Sequence, residues 1–232
     1  LAYEPSNRGV RLLLASGYLA QNRRDEALPI LRSLYDEDNS DFEALEILIS
    51  RYREKDELNN FTVPYYKAWF EKHPNDRQMM QLLADYYADQ HDLSTDAIEL
   101  YKKHLACKSL KDKERVKFYR LLGRYHSNCG NWTEVTEIYE KLRKLEPSAK
   151  DTIIPLSTAY AEYDRKDAQA LKLYMKAVDQ GSRNEKIHTI LCRHYFENKN
   201  RSPRAIKTYK DSLVIHPKNK WGRYGLCDHY IY

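Results

Sequence analysis

The apolar positions of this chain recur at helical spacing in blocks of nearly constant length. The clearest block runs from Tyr119 to Pro147. It reads Y-R-L-L-G-R-Y-H, breaks at the polar residues Asn128 to Asn131, and resumes as W-T-E-V-T-E-I-Y-E-K-L-R-K-L-E-P. Two apolar stripes at the period of a helix predict a helical hairpin turning around Gly130. One hairpin alone leaves much of its apolar surface in water, so it needs neighbours. Taking Leu122 as the marker, equivalent positions are Leu14, Leu48, Leu83, Leu156, Leu191 and Leu226, at steps of 34, 35, 39, 34, 35 and 35 residues.

A Tyr stands four residues after most markers: Tyr18, Tyr52, Tyr87, Tyr160, Tyr195 and Tyr230, with His126 the departure. A second register carries Tyr66, Tyr101, Tyr139, Tyr174 and Tyr209, with Leu31 in the first block. Pro74, Pro147 and Pro217 close three blocks. The predicted helix pairs are Arg8 to Gln21 with Asp25 to Asp36, Asp41 to Glu54 with Thr62 to Lys72, and Asp76 to Gln90 with Thr95 to Cys107. After the Tyr119 hairpin come Asp151 to Asp164 with Asp167 to Gln180, and Asn184 to Asn198 with Pro203 to His216. A lone helix, Trp221 to Tyr232, ends the chain. Pro29 and Pro64 are expected in first turns, where a missing N–H costs least. Pro155 places the start of its helix near Asp151, and Ser202-Pro203 reads as a cap followed by Pro. The 39-residue step lengthens the Cys107 to Glu114 junction, the expected place for a kink.

A period near 34 residues built from two helices resembles the tetratricopeptide-repeat family over essentially the whole chain. Leu122-Gly123 matches the family's L-G, and Ala27, Ala97, Ala170 and Ala205 match the small residue opening the second helix. Tyr119 stands where the family has Trp. The position after the marker is Ala15, Ile49, Ala84, Gly123, Ser157, Cys192 or Cys227, small in all but one. The resemblance implies an all-α solenoid of antiparallel helix pairs wound into a right-handed superhelix. The expected organisation is a single domain, 1–232, of about six units plus one helix: 8–40, 41–75, 76–114, 115–148, 149–183, 184–217 and the half unit 218–232. The chain starts at Leu1 and ends on an apolar helix rather than a polar cap, so a piece of a longer protein is expected.

Composition adds little that is specific. The formal charge is +5, a weak pointer to nucleic acid when spread along an array. No apolar run approaches the ~20 residues of a membrane span. Cys107, Cys129, Cys192 and Cys227 form no CxxC or zinc-type spacing, and Cys192 and Cys227 read as small buried residues. A reducing compartment, cytoplasmic or nuclear, is the expectation. Three triplets, Asn60-Phe61-Thr62, Asn131-Trp132-Thr133 and Asn200-Arg201-Ser202, have the form of glycosylation acceptors, but helix capping is the reading preferred. The repeated Tyr share the phase of buried positions, so they read as core rather than a base-stacking ladder.

No phosphate loop, dinucleotide motif, zinc-protease motif or nucleophile elbow is present, so the chain reads as a non-enzyme with no cofactor or metal. His188 and Cys192 share a helix face but His194 does not, which argues against a metal site. His73 and His216 sit at helix ends, where an imidazolium suits the dipole.

Function then falls to the inner groove, which the resemblance assigns to the first helix of each unit. Counting −5, −2 and +2 from the marker gives Glu43, Glu46, Ser50, Gln78, Gln81 and Asp85, then Lys117, Arg120 and Arg124. Asp151, Ile154, Thr158, Lys186, Thr189 and Arg193 follow, and Trp221, Tyr224 and Asp228 complete the set. The groove is expected to be acidic early and basic from the middle onward, with Trp221 and Tyr224 as an aromatic anchor or as core awaiting a further helix. A protein or peptide ligand is the expected partner. The Asn expected of chaperone-binding clamps is replaced by Ser16, Ser50, Asp85, Arg124, Thr158 and Arg193, and no Asn ladder of the sugar-transferase type is present. The alternatives are an RNA-binding helical repeat, disfavoured by the acidic early positions, and a regulatory arm fused to an enzyme. Self-association through the last helix is a further expectation.

Overall fold

The computed structural model describes residues 7–107, 110–147 and 149–231. Leu1, Tyr232 and residues 108–109 of the expected junction lie outside the described residues. Among those described there are thirteen α-helices and no strand. The chain divides into two compact units, Leu1–Ala106 and Cys107–Tyr232, the division falling in the lengthened junction.

The first unit holds α1 (Arg8–Ala20), α2 (Arg24–Glu37), α3 (Phe42–Glu54), α4 (Val63–Lys72), α5 (Arg77–Asp89) and α6 (Thr95–Leu105). The second holds α7 (Asp112–Asn128), α8 (Trp132–Leu145), α9 (Ile153–Glu162), α10 (Ala168–Asp179), α11 (Glu185–Glu197), α12 (Pro203–Ile215) and α13 (Lys220–Ile231). Within each unit, every helix packs on the next in sequence, and in the second unit α9 also touches α11 and α11 touches α13. Short polar side chains start these helices: Asp41 accepts from the Ala44 N–H at 3.1 Å, Asp76 from Met79 at 2.9 Å, and Asp167 from Ala170 at 3.0 Å. At α7 the Glu114 carboxylate reaches back to the Lys111 N–H at 3.0 Å. The residues added at the 39-residue step thus partly lengthen a helix.

The seams are built from the phased residues. Leu48, Leu83, Leu122, Leu156 and Leu191 are buried, as are Tyr52, Tyr66, Tyr101, Tyr139, Tyr160, Tyr174, Tyr195 and Tyr209. Rings from the two registers meet within a hairpin: Tyr52 and Tyr66 lie 6.3 Å apart, and Tyr195 and Tyr209 meet edge-on at 6.5 Å. Buried phenols need partners for their hydroxyls. Tyr101 donates to the Asp92 carbonyl and Tyr174 to the Arg165 carbonyl, both at 2.9 Å. Tyr160 donates to Glu140 at 2.5 Å, and Tyr52 accepts from the Arg32 guanidinium at 2.6 Å. Ala15, Ile49, Ala84, Ser157 and Cys192, each following a marker, are buried. At Gly123 a Cβ would stand 2.8 Å from the Tyr139 ring, so only Gly fits there without displacing it.

Each hairpin turns the same way. The residue eight past the marker has positive φ: Asn22, Asp56, His91, Gly130, Asp164 and Lys199, between 49° and 70°. The N–H one residue later donates to the carbonyl of the residue four past the marker: Arg23 to Tyr18, Glu57 to Tyr52, Asp92 to Tyr87, Asn131 to His126, Arg165 to Tyr160 and Asn200 to Tyr195, all at 2.8 to 3.1 Å. This is a six-to-one helix stop around a left-handed residue. Only one of the six is Gly, so the sequence revealed only the turn at Gly130.

Several expectations need correction. Pro29 is the sixth residue of α2, beyond the first turn, and removes the helical bond to the Asp25 carbonyl. Burial of Ala27, Leu28, Leu31 and Leu34 around it holds the helix together. The segment before Pro155 opens as a 3-10 turn, Lys150–Thr152, and the α-helix begins only at Ile153. Leu14 and Tyr230 are 38% and 70% exposed, because α1 and α13 each lack a covering hairpin among the described residues. Cys227 is exposed. In α13 the close approach falls instead at Gly225, where a Cβ would lie 2.3 Å from the Tyr209 ring, so the register counted from Leu226 is displaced.

Of the three Asn triplets, capping holds for Ser202, which accepts from the Ala205 N–H at 3.3 Å. Thr62 and Asn131 make no cap bond. Thr62 donates instead to the Glu57 carbonyl at 2.6 Å.

Left-handed backbone costs a non-Gly residue about 1 kcal/mol. Lys199→Gly is therefore expected to raise the thermal midpoint by a few degrees, and Gly130→Ala to lower it by a similar amount. Paired melting curves on the two variants check both signs.

Candidate functional site

The first helices of the hairpins are α1, α3 and α5 in one unit and α7, α9, α11 and α13 in the other. In the first unit Glu46, Ser50, Gln78 and Gln81 are exposed, and Asp85 is half-buried. Glu43 is not a free carboxylate. Arg8 of α1 grips Asp41 through two bonds at 2.6 and 2.7 Å and reaches Glu43 at 3.0 Å. This guanidinium, with the Ala44 N–H behind it, holds the Asp41 carboxyl below the usual range.

In the second unit the expected basic row is largely neutralised by the chain itself. Arg120 bonds Asp151 at 2.7 Å and Glu146 at 2.6 Å, strapping α7 to the segment that opens α9. Lys186 on α11 pairs with Glu162 on α9. Arg193 pairs with Glu197 at 2.7 Å and lies 5.5 Å over the Trp221 ring. Lys117 is half-buried, with its ammonium 5.9 Å over the Phe118 ring. Arg124 is exposed and has no ion pair among the described residues. Thr158, at the position equivalent to Arg124 and Arg193, is half-buried, and Ile154 is 37% exposed. Thr189 accepts from Asn219 at 3.2 Å, and Asp228 is paired with Arg201 at 3.0 Å.

Trp221 and Tyr224 do come together, and with a third ring that the marker count missed. Phe196 of α11 lies 5.7 Å from Trp221 and 5.9 Å from Tyr224, and those two meet edge-on at 6.1 Å. Trp221 is partly buried against the core, whereas Tyr224 is 51% exposed. Phe196 falls five residues past its marker, outside the counted positions. An aromatic at that offset, followed by aromatics in the next helix, was the signal available. The carboxylates that neutralise the row, Glu162 and Glu146, also lie at uncounted offsets.

Paired helices stacked in sequence, phased every 34 or 35 residues with one step of 39, decide the architecture. The chain is an all-α array of repeated antiparallel helix pairs. No family model and no curated protein matches the chain. Solved tetratricopeptide structures similar to it include PilF of Pseudomonas aeruginosa, 15% identical over 95% of this chain and 97% of that one, with a TM-score of 0.42. MamA is 21% identical over 72% of this chain and 94% of its own, TM-score 0.42. YrrB, described as having an unusual peptide-binding site, is 12% identical over 85% and 97%, TM-score 0.42. Similarity this distant carries no argument about function; the repeat character rests on the array's own period and turns.

The remaining reactive groups of the array have structural surroundings. His188 shares a hydrogen bond of 2.9 Å with the Ser182 carbonyl, and His73 stacks on Trp69 at 4.0 Å. His216 faces Glu185 at 3.3 Å. Among the described residues no three His, Cys, Asp or Glu converge on a metal position, and no helix is long and apolar enough to cross a membrane. Burial pushes the Cys192 thiol up to about 11, while Cys129 and Cys227 are exposed. A thiol reagent at pH 8 is therefore expected to label Cys129 and Cys227 in the folded protein and Cys192 only after unfolding. Mass mapping of the labelled peptides checks this.

Asp41 gives a pH dependence of definite sign. Its folded pKa lies below the unfolded value of about 3.9, so its stabilising contribution is present above that value. The contribution is lost as pH falls through the lower folded pKa. Asp41→Asn, which keeps a capping oxygen, is expected to be less stable than the parent at pH 7, with the gap closing toward pH 2. Urea titrations across that range test it.

Proposed function

We propose that the first-helix face of residues 112–231 is a docking surface for a peptide or an exposed segment of a partner protein. The observation that carries this reading is the ring cluster Phe196, Trp221 and Tyr224, with the Arg193 guanidinium over Trp221. Clustered aromatic and Arg side chains around a half-exposed ring are the residue types that dominate binding energy at protein interfaces. Arg124, exposed and unpaired on α7, supplies a cation whose charge no neighbour cancels. A ligand with one apolar anchor and an acidic group suits these two features.

This reading differs from a uniformly basic groove. Arg120 and Lys186 are committed to carboxylates of the array, so a ligand would have to displace Asp151 or Glu162 to use them. The discriminating cation is therefore Arg124, and the discriminating ring is Tyr224.

Crosslinking with a photoreactive group at Thr158 identifies the partner, and calorimetry then measures its affinity. Tyr224→Ala and Arg124→Glu are each expected to weaken binding at least tenfold, about 1.4 kcal/mol, with helical content unchanged. Unchanged affinity in both variants retires the assignment.

A further inference from the structure

The second helices of the second unit carry a feature that the docking surface does not use. Between the second helices α8, α10 and α12 lies a cleft of about 600 Å³. Arg143, Lys172, Lys176 and Arg204 line it, against a single acid, Asp179. Arg204 is already paired with Asp179. Arg143, half-buried, and the exposed Lys172 and Lys176 have no ion pair among the described residues. Lys172 and Lys176 are one turn apart and share a face of α10. Leu173 and Met175 give the cleft an apolar part.

A second, independent observation adjoins it. A pocket of about 140 Å³ shares Met175, Asp179 and Arg204 with the cleft and is also lined by Tyr195. Tyr195 is 3% exposed, and its hydroxyl is buried without a hydrogen-bond partner. A buried hydroxyl without a partner is unfavourable, so one kept beside a cation-lined cleft calls for an acceptor.

We propose that this cleft is a second binding site, one that takes an acidic peptide segment bearing oxyanions. The oxyanion is either a run of Asp or Glu carboxylates or a phosphorylated Ser. Arg143 offers the planar fork that carboxylate and phosphate both accept, Lys172 and Lys176 add point charges, and the Tyr195 hydroxyl donates to a group entering the inner pocket. A nucleic acid fits poorly. No aromatic ring lines the larger cleft for a base to stack on, and Asp179 stands in its wall.

The test is an NMR titration of the whole chain with two peptides and two controls. The peptides are Leu flanked by two Glu on each side, and the same peptide with phosphoserine for two Glu. The controls are the Gln version and a ten-nucleotide oligouridine. One or both acidic peptides are expected to shift the amides of α10 and of Arg143, and stronger shifts with one of them names the source of the oxyanion. Lys172→Glu with Lys176→Glu should cut the affinity at least tenfold with the helical signal intact. Tyr195→Phe should cut it severalfold while folding at least as stably. Tyr224→Ala, at a residue that lines neither pocket, should leave it unchanged, which separates this site from the docking surface. The proposal is overturned if neither peptide moves α10, if charge reversal or Tyr195→Phe leaves binding as it was, or if oligouridine binds more tightly than both peptides.

Discussion

One residue per hairpin does two jobs, and the fold depends on it. Four positions past the marker, a Tyr in five of the six hairpins and His126 in the other presents its carbonyl to the N–H that closes the turn. In the three most buried cases, Tyr52, Tyr160 and Tyr195, the side chain of that same residue is lodged in the seam between helices. Backbone closure and side-chain packing are thereby tied to one Cα. A helix that ended a residue early or late would rotate its ring by about 100° out of the seam while breaking the closing bond. The turn and the core enforce each other, which is why the period survives a step lengthened to 39 residues.

This coupling explains what could be read from the residues alone. Leucine markers and tyrosines are visible because burial restricts them to a few types, and their phase gave every helix pair. The turn residues are not visible in that way. Asn22, Asp56, His91 and Asp164 are of types that tolerate left-handed backbone, yet those types are common elsewhere in the chain, and Lys199 gives no such hint. The last helix misled for a related reason: Leu226 lies near the expected spacing, yet Gly225 makes the close contact with Tyr209. A rule counted from one side chain type fails where the backbone itself is the contact.

The candidate site was legible in its positions and less so in its charges. Arg120, Arg124, Lys186 and Arg193 do stand on first helices, but the carboxylates opposite three of them come from another repeat or from offsets never counted. Ion pairing between repeats is a property of two helices at once, so no single-helix reading finds it. The ring cluster shows the same limit, since Phe196 acquires meaning only when Trp221 and Tyr224 are brought beside it.

Ion pairs add a second kind of force between neighbouring hairpins, beside the shared apolar core. The seam within a hairpin is mostly apolar, whereas Arg8 to Asp41, Arg24 to Glu57 and Arg120 to Asp151 bridge one hairpin to the next with at least one partly exposed partner. Dissolved electrolyte screens the second kind and leaves the first almost untouched. Brine would therefore slacken the ionic straps between neighbours, while the apolar core that runs unbroken through successive hairpins of the second unit would keep them stacked.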